Sequence, residues 1–85
     1  MSPDQERQVC DLLVNLGWME NDHALHAEGV RVIRQALGYS VDDAKVVLHD
    51  LRIRNLIEIG VTPVGELDPR MPVAKCRWER PPANS

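Results

Sequence analysis

With 85 residues the chain has room for one domain and not for two. Its 13 Asp and Glu outweigh 10 Lys and Arg for a net charge of −3, which permits nucleic-acid binding without demanding it. Two cysteines do not make the dense disulfide framework of small secreted domains, there is no apolar run of membrane-spanning length, and no charged-then-apolar leader follows Met1. A cytoplasmic protein with free thiols is therefore expected.

The charge is unevenly spread. Residues 1–28 carry Arg7 against Asp4, Glu6, Asp11, Glu20, Asp22 and Glu28, a net of −5, which leaves +2 on residues 29–85. A domain this small buries only about 60% of the surface its unfolded chain exposes, so a second copy or a partner covering apolar area would add stability.

Ser2, Pro3 and Gln5 form a capping box with proline at the first helical position, predicting a helix near residues 3–16 that ends at Gly17. Val9, Leu12, Leu13 and Leu16 gather on one side of it, and Cys10 at the stripe's edge reads as a small buried thiol. Asn21 or Asp22 could cap a second helix, but that helix would carry Gly29 inside it at about 1 kcal/mol relative to alanine. A loop or short turn is therefore expected first, with the helix near residues 28–37. Val30, Ile33, Ala36 and Leu37 would form its inner face, and Gly38 its end.

Ser40 with Asp43 predicts another cap, and a third helix near 41–54 with Val41, Ala44, Val47, Leu48 and Leu51 facing inward. The short turn at Gly38 to Ser40 sets the angled crossing of a helix-turn-helix. Beyond Asn55 the period changes to two, giving strands near 56–61 and 73–79; Ala74, Cys76 and Trp78 share one face of the second, and Val73, Lys75, Arg77 and Glu79 the other. Pro63, Gly65, Pro69 and Pro72 suit a long hairpin loop between them, and residues 81–85 form a patternless tail beyond a domain of residues 1–80. The core expected from these stripes contains Leu12, Leu13, Leu16, Ile33, Leu37, Val47, Leu48 and Leu51, with Trp18 and Trp78 in the core or at its edge.

The segment from Ala36 to Ile59, ALGYSVDDAKVVLHDLRIRNLIEI, resembles the winged-helix superfamily. It is similar to the amino-terminal DNA-binding domain of the LexA-type repressors and to other bacterial winged-helix regulators. The resemblance implies an α+β fold, a three-helix core with a helix-turn-helix and a C-terminal two-stranded wing. It rests on core, cap and turn positions, which speak for fold more than for function. It implies a third helix in the major groove of double-stranded DNA, with Lys45, His49 and Arg52 on the groove side, Arg70, Lys75 and Arg77 on the wing, and Arg31 and Arg34 on phosphates.

Other residues on the same helix depart from that pattern. Val46 and Ile53 lie opposite the buried stripe with Asp42 and His49, flanked by Asp43 and Asp50. Carboxylates there oppose phosphate, and two aliphatic side chains on one face suit a protein contact. The row Lys45, His49 and Arg52 could equally be a solvated helix edge, and the wing cations a solvated strand face.

Cys10, Cys76, His23 and His26 match a familiar zinc ligand set in residue type only, because no two cysteines are close, and no metal or cofactor is expected. No phosphate loop, nucleophile elbow or carboxylate pair suggests an enzyme. The sequence thus yields two expectations. The leading one is a DNA-binding transcriptional regulator, acting as a homodimer. The alternative is a winged-helix interaction or assembly module contacting protein through Val46, His49 and Ile53.

Overall fold

Each helix begins where a side-chain oxygen is available for its unpaired amides. The computed structural model describes residues 1–62 and 75–82. In α1 (Pro3–Val14) both arms of the capping box form, Gln5 N donating to Ser2 Oγ at 3.2 Å and Ser2 N to Gln5 Oε1 at 3.0 Å. The helix stops two residues before Leu16, capped at Asn15, and Gly17 takes the left-handed φ of 80° that turns the chain. In α3 (Val41–Ile53) the Ser40 hydroxyl accepts from Asp43 N at 3.2 Å.

The largest departure from expectation is α2, which spans Asp22–Leu37 and starts six residues before Glu28. Asn21 is its N-cap, with Oδ1 accepting from Ala24 N at 2.8 Å, and Gly38 closes it at φ 71°. His23 and His26 are therefore helical rather than loop residues. Gly29 sits in the helix interior, buried, and the reason lies outside the helix. A Cβ there would lie 3.1 Å from Trp78 Nε1 and 3.3 Å from Leu48 Cδ2. Glycine's helix penalty is the condition for bringing the indole against the α2 backbone.

The chain leaves α3 through Asn55, whose φ of 61° is a conformation asparagine tolerates better than most residues. It then forms β1 (Glu58–Val61), which pairs antiparallel with β2 (Cys76–Glu79) in the register Ile59 opposite Trp78 and Val61 opposite Cys76. Cys76 is also bridged from its other side, its N and O bonding to Met19 O and N at 3.0 and 2.7 Å. The connection between α1 and α2 is thereby tied to the sheet. The described residues thus form a small α+β unit of three helices followed by a two-stranded hairpin. The expected loop of residues 63–72, with Arg70, and Val73 and Ala74 lie outside the described residues.

Leu13, Ile33, Leu48 and Leu51 are buried as expected, while Leu16, Leu37 and Val47 pack partly exposed against the core. Leu12 does not belong to it and is 38% exposed. The inner face of α1 is Val9, Cys10 and Leu13, and Leu12 projects about 100° away from Leu13. Ala36 and Val41 are also exposed, at facing helix ends where the core no longer reaches. Leu25, Ile57 and Trp78 complete the interior. Cys10 is buried as read, and burial pushes its thiol pKa up, only partly opposed by the nearby guanidinium of Arg80.

Two outcomes follow. Gly29→Ala gains about 1 kcal/mol of helix propensity but must displace packed neighbours at a cost of about 1–3 kcal/mol. Chemical denaturation should show no stabilisation, and Gly29→Val a larger loss. A Gly29→Ala variant more stable by the full propensity gain would mean that the indole does not press on α2. For Cys10 the folded state favours the protonated thiol, so its contribution is complete below the pKa of an unfolded thiol and declines as pH rises through the alkaline range. Cys10→Ala should flatten the alkaline part of the stability–pH curve relative to wild type.

Candidate functional site

The outer side of α3 splits into two surfaces along its length. The inner stripe of Ala44, Leu48 and Leu51 fixes the helix against the core and so determines which residues are left outside. Val46 and Ile53, one heptad apart, are 66% and 68% exposed, more than any other large apolar side chain among the described residues. His49 lies between them on the same face, and Asp42, Asp43 and Asp50 are exposed around them.

On the side of α3 that meets α2 runs a groove of about 560 Å³. Ala27, Val30, Val41 and Leu48 supply its apolar surface, and His23, His26, Lys45, His49 and Arg52 its polar one. Two turns of α2 from its N-cap thus bring both of its histidines beside the Lys45, His49 and Arg52 row. None of the lining residues is a carboxylate.

Arg52 is held in place. Its Nη1 donates to His26 Nε2 at 3.0 Å while its guanidinium lies 5.9 Å from the Trp78 ring centroid. His26 in turn sits edge-on to Trp78, at 5.4 Å between centroids, with Nδ1 2.9 Å from the Asp22 carbonyl oxygen. These partners select one tautomer, protonated at Nδ1 and accepting at Nε2. Trp78 is fully buried and its Nε1 donates to Leu25 O at 3.2 Å. A core indole thereby orients a surface guanidinium.

The remaining candidate cations are dispersed. Arg31 pairs with Glu28 at 2.6 Å, and that hydrogen bond and charge raise its pKa. Arg34 Nε reaches the Tyr39 carbonyl at 3.4 Å. Arg77 pairs with Glu79 at 2.8 Å and stacks over Trp18, which is exposed rather than part of the core. Lys75 is exposed just before β2, bonded to Thr62 only through its backbone, and Arg70 lies outside the described residues. Arg54 joins Glu6 and Asp50, whose hydrogen bonds raise its pKa, and Arg80 joins Asp11. Of the DNA-facing set expected from sequence, the structure brings Lys45, His49 and Arg52 together and keeps Arg31, Arg34, Lys75 and Arg77 apart or occupied by carboxylates.

His23 and His26 were not expected at this site. Their i, i+3 spacing after a capping asparagine was the available signal, and it has meaning only if the helix starts at Asp22. Cys10 and Cys76 lie in the core, and among the described residues no three His, Cys, Asp or Glu gather so as to hold a metal. No helix of the described residues is long and apolar enough to cross a membrane.

The His26 and Arg52 contact can be measured. A double-mutant cycle of His26→Ala and Arg52→Ala should return a coupling of about 0.5–1 kcal/mol, the range of a partly exposed charge-assisted contact. Strict additivity would show that Arg52 is free in solution. No family model, curated protein or solved structure matches the chain.

Proposed function

We propose that this domain is an assembly module of winged-helix type whose contact surface is the outer face of α3, and that it meets a second copy of itself there. The carrying observation is the pair Val46 and Ile53, each about two-thirds exposed on one helix face. The order of helices and hairpin supports the winged-helix reading, and the charge pattern supports self-association. Asp42 and Asp43 mark the N-terminal end of α3 and Arg52 its last turn. Two such helices packed antiparallel about a two-fold axis set acidic ends against basic ones and bury both aliphatic pairs. Thirteen residues make a helix of about 20 Å, so the shared area falls short of the about 800 Å² per partner of a stable interface, and the dimer is weak and concentration-dependent.

DNA binding is the competing reading, and the uninterrupted row of Lys45, His49 and Arg52 favours it. Against it stand the carboxylates on α3 and the internal pairing of Arg31 and Arg77.

Sedimentation over a concentration series, with Ile53→Asp beside the wild type, separates them. Reversible association lost in Ile53→Asp, with an unchanged circular dichroism spectrum, is the expected result. A wild type monomeric up to about 1 mM would overturn the proposal. If that monomer bound mixed-sequence duplex DNA at low salt, with the salt slope reduced by about one unit in Lys45→Ala or Arg52→Ala, DNA recognition would replace it.

A further inference from the structure

We infer that the groove between α2 and α3 is a binding site for a small aliphatic carboxylate, a ligand with one anionic head and an unbranched apolar body. The groove shares His49 and Arg52 with the face of α3 proposed for self-association, so the ligand and a second copy compete for Arg52.

Shape and chemistry set the ligand class together. Val41 and Leu48, both lining the groove, lie two turns apart on α3, about 10 Å along its axis and enough for a chain of about eight carbons. Ala27 and Val30 on α2 flank the same space. A groove volume of about 560 Å³ falls within the ordinary range for small-ligand sites. An apolar body would find aliphatic side chains on both helices.

The polar lining has one sign. Lys45 and Arg52 are cations, and the three remaining polar groups are imidazoles, His23, His26 and His49. Of the carboxylates next in sequence to lining residues, Asp42 is exposed beside Val41 and Glu28 pairs with Arg31 at 2.6 Å. Asp22 Oδ1 lies 3.2 Å from His26 Nδ1, and Asp50 pairs with Arg54 at 2.8 Å. An anion entering the groove meets no opposing charge among its lining residues, whereas a cation meets two. Arg52 is also the preorganised group. One guanidinium nitrogen is spent on His26 and the plane is steadied near Trp78, which leaves Nε and Nη2 without a hydrogen-bonded protein acceptor among the described residues. A carboxylate is the anion a planar guanidinium fork accepts best through paired N–H donors. Lys45, two turns from Arg52 on the same edge, adds positive charge along the path of the apolar body.

The test is a titration of the isotopically labelled chain, followed by amide chemical shifts at constant ionic strength, with sodium octanoate, octylammonium chloride, sodium acetate and inorganic phosphate as separate probes. Octanoate should shift amides of Ala27, Val30, Val41, Lys45 and His49 and saturate, with the other three probes at least about threefold weaker. Lys45→Gln and Arg52→Gln should each weaken octanoate about three- to fivefold, in line with a partly exposed charge contact. Ala27→Glu, an exposed helical position that tolerates the change, should reverse the preference so that octylammonium binds better than octanoate.

Equal shifts from octylammonium and octanoate would reduce the groove to an unselective apolar surface and overturn the inference. Inorganic phosphate matching octanoate would do the same, leaving an anion site with no use for its apolar walls. Octanoate shifts centred on Val46 and Ile53 instead of the groove would also overturn it.

Discussion

The fold depends on one close approach, the indole of Trp78 laid against the backbone of α2 at Gly29. A Cβ at residue 29 would press on the indole at 3.1 Å and on Leu48 at 3.3 Å, and both neighbours would have to give way. Around that contact the ring makes its other engagements, a hydrogen bond to Leu25 O, an edge from His26 and the overlying guanidinium of Arg52. Burying an aromatic of this size is among the larger apolar gains available to so small a core. The same residue therefore closes the interior and positions a surface charge.

That dual role explains what could be read from the sequence. Caps at Ser2 and Ser40, the stop at Gly38 and the alternation through Cys76 and Trp78 are decided within a few residues, and all four are found where local rules place them. The start of α2 was not legible for the opposite reason. Local propensity counts glycine against a helix, and the partner that makes Gly29 favourable lies far along the chain. Leu12 was misplaced by a smaller error of the same kind, since a wheel with four leucine and valine positions does not reveal which edge the rest of the protein covers. Placing the start of α2 at Glu28 also hid a third of the groove's lining, because His23, His26 and Ala27 precede that point.

The candidate surface was legible in part. Lys45, His49 and Arg52 share an edge by spacing alone, and Val46 with Ile53 stands opposite the buried stripe. What spacing could not supply was the state of the other cations. Charge counting treats Arg31 and Arg77 as available, whereas the fold places Glu28 and Glu79 within 2.6 and 2.8 Å of them. A modest local excess of positive charge is thus consumed internally on α2 and β2.

The bridge between Met19 and Cys76 has a bearing on how the chain is made. Elements of α1 and the turn after it find their sheet partner only when residue 76 exists, and α2 finds its indole only at residue 78, a separation of 53 positions from Leu25. Synthesis delivers the amino-terminal helices first. They emerge with Leu25 still without the indole that bonds its carbonyl and Met19 without the strand residue it pairs with. During translation the apolar face that Trp78 covers in the native domain lacks that cover until residue 78 has been added.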